Sequence, residues 1–206
     1  MDVRGGAIDG TLIRNAIIVD GTGAPVRRGS VAIAGGRIVS VGDDRRDGGP
    51  TGPEPVWGRV IDAGGAVVCP GFIDIHTHSD LTLLVDGTGE SKLRQGVTTE
   101  VVGNCSFSAF PIEPSRLELH ADHLARATAP LTPWWTDFDG YARALEHEGV
   151  ALNVASLAGH GTLRVAAMGV DARPPSSAEL DRMLGDLDEC LAQGAFGMST
   201  GLTHVP

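Results

Sequence analysis

The chain has 206 residues, 42% of them hydrophobic, with a mean hydropathy of +0.04, enough apolar content to bury a core as one or two domains. Its formal net charge of -10 and pI near 5.0, with arginines scattered instead of striped, exclude a nucleic-acid surface. The first thirty residues hold no apolar run long enough for a secretory leader or a spanning helix, which makes membrane partners unexpected and the cytoplasm the expected location. Three widely spaced cysteines, Cys69, Cys105 and Cys190, suit reduced thiols there better than a disulfide framework.

In chain order, residues 12–19, 30–34 and 37–41 are short β-rich runs separated by the glycine turns Asp20-Gly21-Thr22-Gly23 and Ala34-Gly35-Gly36, a small antiparallel β unit. Residues 43–58 lose apolar periodicity and read as an exposed loop before a strand at 59–62. Near Pro70 the pattern changes, dividing 1–69 from 70–206. Beyond it, strands are expected at 72–78, 97–103, 152–157 and 195–199, alternating with helices at 89–95, 116–128 and 138–147, the pattern of a parallel sheet or barrel. Ser176 and Glu179 form a capping box for a last helix, ended by Gly194, whose Leu180, Met183, Leu184, Leu187 and Leu191 are expected to pack on the sheet. Trp134-Trp135 is expected to anchor the helix entry before Tyr141.

The run Pro70-Gly71-Phe72-Ile73-Asp74-Ile75-His76-Thr77-His78 carries the sharpest chemistry. Alternate side chains of a strand share a face, so His76 and His78 are a ready pair of metal ligands; two histidines satisfied by hydrogen bonds are the plainer alternative. The other expected strands also end in polar groups: Asn104-Cys105, Gly159-His160-Gly161, and Ser199-Thr200-Gly201 with His204 beyond. In a barrel these strand ends build the active site. Cys105 suits a zinc ligand, held as thiolate; it equally suits a buried small hydrophobe or, with His160 in reach, a nucleophile.

The nonapeptide resembles the opening metal motif of the amidohydrolase superfamily, hydrolases built on a metal-dependent (β/α)8 TIM-like barrel. The stretch from Glu90 to Cys105, with Ala151-Leu152-Asn153-Val154-Ala155, Gly159-His160-Gly161-Thr162-Leu163-Arg164 and Ser199-Thr200-Gly201-Leu202, narrows the resemblance to the N-acyl-D-amino-acid deacylases. It implies an α/β fold, with residues 1–69 as part of a small β-sandwich domain and 70–206 as the first four βα units of the barrel. It also implies a zinc centre in which Cys105 is a metal ligand and His76 and His78 contribute to a second, weaker metal position, and hydrolysis of a small N-acyl-D-amino acid to a carboxylate and a D-amino acid. Hydantoinase-like relatives bridge two metals with a carbamylated lysine at a strand end; the single lysine here, Lys92, is expected on a helix. Ser106 stands where glycine is usual and His204 where tyrosine is usual.

A full barrel takes about 250 residues, so the chain reads as an N-terminal fragment. No catalytic acid or base is expected within it, and by itself it is expected to be inactive. The rival readings are another cyclic or linear amidase of the superfamily, such as a dihydroorotase-like enzyme, and a non-catalytic remnant.

Overall fold

The computed structural model describes residues 8–43, 56–125 and 131–202, and the chain divides into two units, Met1–Pro70 and Gly71–Pro206.

In the first unit the glycine-punctuated runs form an antiparallel meander of β1 (Ile8–Ile18), β2 (Arg27–Ala34) and β3 (Arg37–Asp43). Gly35 and Gly36 turn β2 into β3, both at positive φ, which a two-residue type I′ hairpin demands of its central residues. Two further strands, β4 (Trp57–Asp62) and β5 (Val67–Val68), join the free edge of β1 in parallel. The expected antiparallel unit is thus extended by two parallel strands into a mixed five-stranded sheet: a chain returning through a long connection can enter in the same direction as its neighbour, whereas a tight hairpin cannot. Asp43, Trp57 and Gly58 belong to strands; residues 44–55 of the expected loop lie outside the described residues. Ala16, Ile18 and Val31 form a small core.

The second unit begins with β6 (Phe72–Asp74). This strand is shorter than the expected 72–78, because the Asp74 side chain accepts from the His76 backbone N–H (3.1 Å) and bends the chain out of the sheet. Two short helices, α1 (Thr82–Val85) and α2 (Glu90–Leu93), lead to β7 (Val97–Val102). A 3-10 turn at Pro114–Arg116 runs into α3 (Leu117–Leu124); residues 126–130 lie outside the described residues. Next, α4 (Phe138–Glu148) is capped at its start by the Asp137 carboxylate on Gly140 N–H (2.8 Å) and ended by left-handed Gly149. β8 (Asn153–Ser156) and β9 (Ala158–Gly159) are one run interrupted at Leu157. α5 (His160–Met168) was not expected: the glycines flanking His160 masked a helix that buries Leu163, Val165 and Met168. α6 (Ser177–Gln193) carries the full capping box, and β10 (Met198–Ser199) closes the order.

β6, β7 and β8 pair in parallel, in chain order. Leu157 N–H still donates to Val102 (3.0 Å), after which β9 pairs in parallel with β10 on its other side. The strands are thus lined up side by side in sequence order, joined by helical connections. Behind the sheet, Phe110, Leu124, Trp135, Tyr141 and Cys190 build the core. Trp135 is the anchor, its Nε1 donating to the Ala109 carbonyl (2.7 Å), while Trp134 is exposed. The α6 stripe is rotated from expectation. Met183 and Cys190 are buried and Leu187 packs against the core, but Leu180, Leu184 and Leu191 are exposed.

Candidate metal centre

The two histidines reach the site from the bend after β6 rather than from a strand face. Thr77 N–H donates to Val101 (3.3 Å), so the bent segment stays alongside β7. The third donor comes from the turn that ends β7. Gly103 is obligatory there: it has φ +79, and a Cβ on it would lie 2.1 Å from the Leu157 carbonyl oxygen. Asn104 Nδ2 donates to Val101 (2.8 Å) and Thr77 (3.3 Å), stapling the turn to the histidine segment. Cys105 and Ser106 follow with φ of 53° and 77°, a left-handed pair that costs non-glycine residues about 1–2 kcal/mol each.

That turn is held from β10. Ser106 N–H donates to Ser199 Oγ (3.1 Å), the Ser199 hydroxyl donates in turn to the Gly103 carbonyl, and Gly201 N–H donates to Ser106 Oγ (2.8 Å). From the opposite side, buried Asp80 accepts from Gly103 N–H (2.8 Å). Burial pushes the Asp80 carboxyl up to about 7, with the Glu100 charge adding to the rise.

The result is a tight set of donors. His76 Nε2 lies 3.1 Å from Cys105 Sγ, the two imidazoles stand edge-on with centroids 5.6 Å apart, and ligand atoms of His76, His78 and Cys105 all fall within 4.8 Å of one another. Two imidazoles and a thiol are the donor types zinc prefers. Zinc–nitrogen and zinc–sulfur bonds of about 2.0 and 2.3 Å put tetrahedral ligand atoms about 3.5 Å apart, a spacing this set brackets. The residues fit the metal.

Of the other polar strand ends, His160 opens α5 and is not one of these three donors; burial lowers its pKa. His204 lies outside the described residues. Cys190 sits in the core, its thiol pushed up to about 12 by burial, and Cys69 is exposed; all three cysteines are free. Lys92 is bound to Asp74, and that hydrogen bond holds its ammonium above the usual lysine value. Carbamylation needs the neutral amine, so Lys92 is unsuited to bridge metals. Sequence reasoning missed Ser79, Asp80 and Glu100. The signal for Glu100 was a carboxylate inside the run Val97-Thr98-Thr99-Glu100-Val101-Val102, where a strand facing a core has no reason to carry one.

An N-acyl-D-aspartate deacylase and an N-acyl-D-glutamate deacylase of Alcaligenes xylosoxydans xylosoxydans are each 40% identical to the chain over 95% of its length, which covers 37% and 38% of theirs. The crystal structure of N-acyl-D-glutamate deacylase from Bordetella bronchiseptica, complexed with zinc and a phosphonate inhibitor that mimics the tetrahedral intermediate of the reaction, aligns with a TM-score of 0.80 at 36% identity. That alignment covers 98% of this chain and 40% of that one. The chain thus spans about two fifths of the length of the relatives it matches. Residues 59–205 match the amidohydrolase family model, a span that takes in both donor segments and all of the parallel sheet; the chain belongs to the amidohydrolase family.

Proposed function

We propose that this chain supplies the opening part of the active site of a zinc-dependent N-acyl-D-amino-acid deacylase, which cleaves the amide of a small N-acyl-D-amino acid to a carboxylate and a free D-amino acid. The observation that carries this reading is the convergence of His76, His78 and Cys105 within 4.8 Å. Zinc, when bound, polarises a carbonyl and lowers the pKa of a coordinated water. His76 and His78 serve as neutral imidazole donors and Cys105 as the thiolate; none of the three moves a proton. Asn104 ties the Cys105 turn to the histidine bend, and Ser199 holds the turn itself. In the same reading, residues 70–206 are the first four βα units of a (β/α)8 barrel and residues 1–69 part of a small β-sandwich. The consecutive parallel pairing of the second unit supports the former, and three free thiols suit a reducing, cytoplasmic setting.

The test is a chimera in which residues 8–202 replace the matching stretch of the Bordetella deacylase. It is expected to release D-glutamate from N-acetyl-D-glutamate and nothing from the L-enantiomer, and to lose both activity and bound zinc on Cys105→Ala. A folded chimera without deacylase activity, or one in which Cys105→Ala keeps its zinc, would overturn the proposal.

A further inference from the structure

Behind the three donors lies a second polar cluster with no part in ligation. In the parallel pairing of β6 and β7, Asp74 is the register partner of Glu100, so the two carboxylates project side by side from one face of the sheet. Glu100 is fully buried. Helix α2 places Lys92, the single lysine of the chain, against both: Nζ is hydrogen-bonded to Asp74 Oδ2 and lies 3.6 Å from Glu100 Oε1.

The remaining carboxylate oxygens reach the segment that carries the histidines. Asp74 Oδ1 accepts from His76 N–H (3.1 Å). Glu100 Oε2 accepts from the Ser79 hydroxyl, which lies 3.4 Å from Thr77 Oγ1. The stretch from 76 to 79 is therefore tied at each end to a carboxylate, and one ammonium holds both.

We propose that Lys92 is a positioning residue of the metal site: shared between Asp74 and Glu100, its ammonium fixes both carboxylates and through them the path of residues 74–79, from which His76 and His78 present their rings. The proposal rests on reading those histidines as ligands. Without the cation, neither side chain is anchored from α2, whether or not both are charged, and two neighbouring carboxylates on one sheet face also repel in a low-dielectric setting. Glu100 also has room to move away. A cavity of about 560 Å³, lined among others by His78, Ser79, Glu90, Lys92 and Glu100, adjoins it, and a Glu100 carboxylate that swings into it lets go of the Ser79 hydroxyl. Groups that orient metal ligands from behind typically account for ten- to hundredfold in metal affinity.

The test compares the full chain with Lys92→Met, Lys92→Arg and the double variant Lys92→Met with Glu100→Gln, which removes one uncompensated buried charge and so guards against failure to fold. Hydrogen exchange of residues 74–79 without metal reads the clamp, and cadmium titration followed by the thiolate-to-metal ultraviolet band reads the site. Lys92→Met and the double variant are expected to exchange at 74–79 at least about tenfold faster than wild type, with β8 and α6 unchanged, and to bind cadmium about ten- to hundredfold more weakly. Lys92→Arg is expected to restore most of both. Exchange that is unchanged at 74–79, or raised uniformly across the unit as a merely structural ion pair would do, overturns the proposal. So does wild-type cadmium affinity in the folded double variant. A wild-type chain that shows no thiolate band refutes the ligand reading instead, and the exchange arm alone then decides whether Lys92 fixes this segment.

Discussion

Replacing Ser106 sets two effects of similar size against each other and gives a prediction of sign. At φ 77° a non-glycine residue carries about 1–2 kcal/mol of strain, which Ser106→Gly relieves. The same change removes the acceptor for Gly201 N–H, a 2.8 Å bond worth about 1 kcal/mol net. The two nearly cancel, so Ser106→Gly should leave stability within about 1 kcal/mol of wild type. Ser106→Ala loses the bond and keeps the strain, at a cost of about 1–2 kcal/mol. Both variants retain the backbone donation to Ser199 Oγ (3.1 Å), so the comparison isolates the side chain. In ordinary extended or helical backbone alanine is the more stable of the two by about 0.5–1 kcal/mol; here the order should reverse. Urea unfolding of the three chains measures it, and an alanine variant as stable as the glycine variant would refute the strain argument.

Gly103→Ala should be far more damaging than Gly149→Ala, although both glycines have φ above 70°. The Gly103 Cβ would meet the Leu157 carbonyl at 2.1 Å and the Gly149 Cβ meets nothing within 4 Å, so the former is expected to cost more than about 3 kcal/mol and the latter about 1–2 by denaturant melts. His120 is fully buried, with Nε2 accepting from Glu113 N–H (3.0 Å); burial and the nearby His123 lower its pKa to about 4. The unfolded chain takes up this proton near 6.5 and the folded chain only near 4. Its contribution is therefore complete above 6.5 and is lost as pH falls through that window, on the order of 3 kcal/mol. Plotted against pH, the stability difference between wild type and His120→Gln should shrink toward pH 4; parallel curves would contradict it. Because Lys92 is held as an ammonium by Asp74, acetic anhydride near pH 8 should modify the α-amino group first and Lys92 only on unfolding, read by peptide mass spectrometry.

The segments that bring His76, His78 and Cys105 together were legible in the sequence because they are local: His76 and His78 sit two positions apart, and Asn104-Cys105 follows an apolar run at a glycine. Helix α6 was legible for the same reason, since its capping box is four residues long. Its buried face was not, because the five residues of the apolar stripe share one face, whereas contact with α4 and α5 covers a sector offset from it, through Leu187, Met183 and Cys190. The strand expected at 72–78 failed on one hydrogen bond, from His76 N–H to Asp74, which no periodicity encodes. Lys92 could be placed on a helix, but its partners depend on the register of two strands, a long-range property. The same holds for Ser106, Ser199 and Gly201, separated by more than ninety positions from one end of the latch to the other.

That separation has a bearing on the order of assembly. All three donors are present once the chain has reached Cys105, but the hydroxyl that receives Ser106 N–H belongs to Ser199, in the last strand. Closing a loop of that length is slow relative to local helix formation, so the turn carrying Cys105 stays unlatched while α3 to α6 form. A thiol in that state is open to oxidation or to capture of a metal in the wrong geometry. Docking of β10 is then the step that commits the cysteine to its place, and under the proposed ligand role of Cys105 a metal's coordination signal would double as a clock for completion of the sheet.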